Sequence, residues 1–236
     1  MNKKLFRSFI CLFLFSLIIS SCNEKDKPQK DDPKTTDVGV VINGVRWATR
    51  NLETHGTFVG NPKDFGGLFQ WGRRGDGHEQ RDSPTTETLS SSDVPGHGNF
   101  IIIFDSPFDW RDPQNDNLWG NPKTANDPCP QGWRVPTVAE IRTLTNTNNV
   151  SSEWTTTNGV NGRTFTDINT DNAIFLPAVG LRGYTTGSLS LAGSQGSYWS
   201  ASGNMFSAWG LAFNRHSVLE THSVRANGWS VRCVAE

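Results

Sequence analysis

A cysteine, a tryptophan and a helix start stand together in Asp127-Pro128-Cys129-Pro130-Gln131-Gly132-Trp133-Arg134-Val135-Pro136-Thr137-Val138-Ala139-Glu140. Its last four residues form a capping-box sequence. The threonine hydroxyl can accept the amide hydrogen three residues on, while the glutamate reaches back to the threonine amide. Pro136 restrains the entry, Ile141 and Leu144 supply an apolar stripe, and the polar run 146–149 ends it. One main helix near 137–147 is therefore expected, and no other stretch has a comparable start.

Strand-like sequence lies on both sides. Upstream, Val38-Gly39-Val40-Val41-Ile42 and Val45-Arg46-Trp47-Ala48 flank Asn43-Gly44, a dipeptide that tolerates positive φ at both positions and so predicts a hairpin. Downstream, short runs at 163–166, 173–178, 197–202, 208–214 and 229–235 are separated by Gly, Asn and Ser. In Trp209-Gly210-Leu211-Ala212-Phe213 the large apolar residues alternate, as a half-buried strand requires. Stretches 73–98 and 105–127 have little periodicity and read as long loops, which in a folded domain are often functional. The expected class is α+β, loop-rich, with short antiparallel strands and one helix.

The N-terminus carries its own signal. Lys3, Lys4 and Arg7 precede an almost wholly apolar run, 5–19, which ends in Ser20-Ser21-Cys22. A basic start, an apolar core and small residues at the end make a secretory signal over 1–21, and the run is shorter than the roughly 20 residues of a membrane-spanning helix. Ile19-Ser20-Ser21-Cys22 resembles the lipobox of bacterial lipoproteins, which implies lipidation of Cys22 and a membrane partner through that lipid alone. Residues 22–37 then read as the lipidated cysteine and a flexible tether, because they alternate charge sign and offer nothing to a core. The acidic and lysine tract resembles those that accompany surface export in Bacteroidetes lipoproteins, so the expected location is the outer membrane with the domain on the cell surface, or else facing the periplasm.

With Cys11 lost and Cys22 lipidated, Cys129 and Cys233 remain of the four cysteines. Two cysteines in an exported chain are most simply a disulfide. There is no CxxC, HExxH or Cys/His cluster to hold zinc, and no metal or cofactor is expected. Loss of Lys3, Lys4 and Arg7 leaves 19 basic residues of 22 against 23 acidic ones, near −4, so nucleic acid is not an expected partner.

Several segments, taken in order, resemble the Fibrobacter succinogenes major paralogous domain family over 38–236: Trp47-Ala48-Thr49-Arg50-Asn51-Leu52; Phe69-Gln70-Trp71-Gly72-Arg73; the cysteine–tryptophan segment above; Leu176-Pro177-Ala178-Val179-Gly180-Leu181-Arg182; Tyr198-Trp199-Ser200-Ala201-Ser202; and Ser230-Val231-Arg232-Cys233-Val234. The resemblance implies a C-type-lectin-like fold, shared with formylglycine-generating enzymes, in which a cysteine near the first helix pairs with one in the last strand. Cys129 and Cys233 stand at those places.

Nine tryptophans are many for this length. Those within or directly beside the family segments (Trp47, Trp71, Trp133, Trp199, Trp229) read as core, since a loop-rich fold fills its interior with large rigid side chains. Trp110 and Trp119 lie in the Asp/Asn-rich loop with Asp112 and Asn115, and these four are the expected ligand-binding residues, through stacking and carboxamide or carboxylate hydrogen bonds. Clustered oxygens there also raise calcium, although Asx-turns explain the same composition and the calcium-lectin ligand motifs are absent. Arg74-Gly75-Asp76 is an adhesion-type tripeptide of the kind that arises by chance. No nucleophile is placed by a motif. No catalytic residue is expected. The expected function is non-enzymatic binding or adhesion, with a glycan or protein ligand. A structural part in a surface or fimbrial assembly is the alternative, and an enzyme related to the formylglycine-generating oxidases a more distant one.

Overall fold

Asn43 and Gly44 take φ of +46° and +83°, the left-handed pair that a two-residue hairpin turn requires. Across that turn Val40–Ile42 pairs antiparallel with Val45–Trp47. This is a computed structural model, and it describes residues 34–236. The expected signal over 1–21, Cys22 and the expected tether through 33 lie outside the described residues.

The opening hairpin is one half of a four-stranded sheet. Val234–Ala235 adds to Val45–Trp47, and Trp133–Arg134 adds beyond it. The two ends of the domain and the cysteine–tryptophan segment are thereby neighbours. Cys129 and Cys233 follow from that placement: they are bonded to each other, 104 positions apart in sequence with Cα atoms 6.2 Å apart. The bridge lies in a core that also holds Trp71, Trp133, Trp199 and Trp229, with the last two indoles stacked at 4.4 Å.

The stretch 229–235 is not one continuous strand. Only Gly228–Trp229 and Val234–Ala235 are strand, because the carbonyls between them serve other partners. Val231 accepts the Leu52 amide at 3.1 Å, and Cys233 accepts the Ala48 amide at 2.9 Å.

The helix runs Val138–Thr145, with Thr137 as N-cap and both capping-box bonds made. Glu140 Oε2 accepts from the Thr137 amide at 2.7 Å, and the same carboxylate grips Arg134 with both oxygens, at 2.8 and 2.6 Å. Ile141 and Leu144 face a second core with Ile42, Trp47, Phe165, Tyr198 and Phe213. The helix is a residue or two shorter at each end than 137–147, since Thr137 is the cap and Asn146 leaves helical geometry.

Two antiparallel meanders supply most of the remaining ladder. One comprises Val150–Thr157, Val160–Asp167 and Ala173–Pro177, and the other Gln195–Asn204, Ser207–Asn214 and Val218–Val224. Val150–Thr157 and Val218–Val224 are edge strands, the first mostly exposed and the second mostly half-buried. Their weak apolar pattern is why the sequence reading passed over them. The result is α+β and loop-rich, with one helix among the described residues. No described helix is long and apolar enough to cross a membrane.

The expected tether over 22–37 overlaps the folded domain from residue 34 onward. Asp37 accepts from the Gly39 amide at 2.8 Å and from the Thr49 amide and hydroxyl at 3.1 and 2.8 Å, and it pairs with Arg50 at 3.3 Å. The Lys34 carbonyl takes the Phe58 amide. Charge excludes these residues from a core but not from hydrogen bonds at its rim.

Candidate functional site

The loop 105–119 does not present its tryptophans. Trp110 is 0% exposed and Trp119 2%, which corrects the expectation of a surface platform. Each indole finds an internal acceptor for its N–H, the Trp71 carbonyl for Trp110 at 2.7 Å and the Asn126 carbonyl for Trp119 at 2.9 Å. Once that bond is made, burying the ring is favourable. Arg73 lies over the Trp110 ring and Trp71 leans on Trp119. Asp112 remains exposed, and half-buried Asn115 donates to Asp93 at 3.1 Å. The four residues do not form one contact surface.

What holds this loop is a buried cation. Arg225 lies 4.5 Å over the Trp71 ring, faces Asp109 at 3.5 Å and binds Asp116. Burial pushes the Asp109 carboxyl above its ordinary range, with Arg225 partly opposing it. The Ala226 amide donates to the Phe108 carbonyl at 3.2 Å. Anchored on either side, the chain takes φ +59° at Phe108 and sets that ring edge-on to Tyr184, 5.8 Å away.

Phe108, Tyr184, Phe206, Ser207, His222 and Asn227 line a groove of about 440 Å³. Each part of this lining has a structural cause. Tyr184 is held through its backbone, its amide donating to Asn227 Oδ1 at 3.0 Å and its carbonyl accepting from Ile103 at 2.9 Å. Phe206 sits at the tip between Gln195–Asn204 and Ser207–Asn214, next to Met205 at φ +49°. The two are 56% and 76% exposed. His222 is set edge-on to Trp209 at 5.4 Å, with Nδ1 3.3 Å from Ser207 Oγ.

Sequence reading missed this groove, although one signal was there. In Gly203-Asn204-Met205-Phe206-Ser207 two large apolar residues occupy a hairpin tip, where Gly, Asn and Ser are the usual choices.

Other polar clusters are occupied by their own fold. Asp76, His78 and Glu79 bring candidate metal-ligand atoms within 4.8 Å of one another. However, His78 Nε2 accepts the Gln70 amide at 3.1 Å, so the ring proton sits on Nδ1, donated to Asp76 at 2.7 Å. Glu79 accepts the amides of Asp76 and Gly77 and the Thr54 hydroxyl. Burial first, then Arg73, holds the His78 pKa at about 4, so the ring is neutral. Asp76 is engaged by Arg73 as well, so the adhesion-type tripeptide does not offer a free carboxylate.

A larger hollow, about 740 Å³, lies beside His55, Lys123, Asp127 and Glu236. Lys123 spends its three donors on the carbonyls of Cys129, Pro130 and Trp133, at 2.6, 2.8 and 2.6 Å. Asp127 accepts the amides of Cys129 and Val135 at 2.9 and 2.8 Å, and burial pushes its pKa up to about 6. Both side chains shape the segment around the disulfide rather than face a ligand.

Comparison with protein-family models, with curated proteins and with solved structures gives no match.

Proposed function

We propose that this chain is a cell-envelope lipoprotein of the Fibrobacter succinogenes major paralogous type, anchored by lipid on Cys22. Its C-type-lectin-like domain binds a ligand without catalysing a reaction. The location is the outer membrane with the domain outward, a periplasm-facing domain being the alternative. The observation that carries the binding role is the aromatic groove formed by exposed Phe206 with half-buried Phe108 and Tyr184, since large rings clustered in one concavity are a hallmark of recognition surfaces. Both domain cysteines are used in the bridge, which leaves no thiol there for the oxidase chemistry of the fold's enzymatic relatives.

The test is retention of the full chain on surfaces coated with cell-envelope or mucosal material. Saturable retention that Phe206→Ala abolishes, with the melting temperature unchanged, is the expected result. Equal retention of parent and variant would show that binding does not use the groove. Self-association that Phe206→Ala abolishes would instead make the groove a subunit contact, as in a surface or fimbrial assembly.

A further inference from the structure

The polar ends around the groove narrow its ligand. No Asp, Glu, Lys or Arg lines it, so a charged ligand would find no opposite charge there in return for any hydration it gives up. The rings of Phe108, Tyr184 and Phe206 offer apolar faces. Beside them are groups that still need partners: among the described residues Tyr184 Oη has none, and His222 uses Nδ1 toward Ser207, which leaves Nε2. A helix laid across the groove by an apolar face would bury both ends unsatisfied, because its backbone groups bond to one another. A sugar ring meets both demands, because its C–H face suits an aromatic ring and each hydroxyl donates as well as accepts, whichever tautomer His222 holds. The groove is open and within the size range of small-ligand sites.

We infer that the groove binds an uncharged glycan, a sugar ring lying against Phe206 and the Phe108–Tyr184 pair with hydroxyls bonded to Tyr184 Oη and His222 Nε2. The inference rests on the groove being the binding surface of the domain. No lining residue is a carboxylate, so this binding needs no calcium.

The experiment is affinity electrophoresis of the full chain, in a detergent whose headgroup is not a sugar, through gels containing EDTA. The gels carry neutral polysaccharides (β-glucan, xylan, mannan, dextran) or charged ones (polygalacturonate, chondroitin sulfate). Retardation by at least one neutral polysaccharide is expected, with affinity falling about 3- to 10-fold in Tyr184→Phe, the loss of one hydrogen bond, and about 10-fold or more in Phe206→Ala. Retardation by charged polysaccharides only, by none, or equally in both variants overturns the glycan assignment. A second arm separates this from the binding role itself. If retention on envelope material depends on Phe206 but survives periodate and is lost after protease treatment of the surface, the groove stands and its ligand is protein. If retention ignores Phe206 altogether, both proposals fall.

Discussion

Arg232 donates its Nε hydrogen to Asn51 Oδ1 at 2.9 Å, joining residues 181 positions apart. Its other nitrogens reach the Ala48 and Phe175 carbonyls, each at 3.1 Å. Asn51 in turn donates to Tyr198 Oη at 3.3 Å, and that hydroxyl donates to the Pro177 carbonyl at 2.7 Å. Four of the recognisable sequence segments are thus one buried network. Burial pulls the Arg232 pKa down to about 10, so the guanidinium stays charged at neutral pH.

Arg232→Ala should therefore lower stability by about 3 kcal/mol or more, because several buried acceptors lose their donor together. Arg232→Lys should recover only part of that, since an ammonium cannot match the planar fork. Urea unfolding gives the comparison, and a loss below about 1 kcal/mol for the alanine variant would show that the network is dispensable.

The Cys129–Cys233 bridge closes a long loop, 104 positions. In the chain-entropy model a loop of that order contributes up to about 4.7 kcal/mol, and native bridges typically contribute 2–5. Replacing both cysteines with alanine should lower stability within that range and leave ligand retention intact at temperatures where the domain is folded. Non-reducing peptide mapping checks the bond itself; two free thiols in the mature protein would reopen the question of a reactive cysteine.

His78 and Asp127 act in opposite directions on acid stability. Folded His78 refuses its proton until about pH 4, whereas in the unfolded chain it binds near its model value of 6.5. The stability this group contributes is therefore lost as pH falls through that window. Folded Asp127 holds a proton up to about pH 6 against a model value of 3.8, so its contribution falls as pH rises from the lower value to the upper. His78→Gln should expose the Asp127 slope, and Asp127→Asn the His78 slope. Denaturation curves at about pH 4, 5 and 6 should diverge in opposite senses for the two variants; profiles parallel to the parent would contradict both shifts.

Trp110 and Phe206 should separate structure from recognition. Trp110→Ala should destabilise the fold by about 3–5 kcal/mol, as expected for a buried aromatic. Phe206→Ala, at an exposed tip, should stay within about 0.5 kcal/mol of the parent while weakening ligand retention. Thermal melts paired with retention assays decide it, and a folded Trp110→Ala variant that specifically lost binding would restore the loop tryptophan to the site.

Cys22→Ala should abolish palmitate labelling and processing by the lipoprotein signal peptidase, with continued labelling placing the lipid elsewhere. Protease treatment of intact cells should remove an outward-facing domain. Complete protection would favour the periplasmic face.

Local and covalent rules made part of this protein legible from sequence alone. Asn43-Gly44 specifies its hairpin through backbone φ, and Thr137 with Glu140 specifies the helix start through two hydrogen bonds within four residues. Two domain cysteines leave one pairing. Tertiary structure decided what depends on distant partners. Trp110 turned inward because the Trp71 carbonyl was waiting 39 positions away, and Phe108 lines the groove, half-buried, because Ala226 and Arg225 fix the loop from the far end of the chain. The groove joins residues near 108, 184, 206 and 222. No period or spacing in the chain encodes that meeting, because burial and exposure of a large ring are settled only when the groups able to satisfy its polar atom, or to cover its face, have been brought beside it.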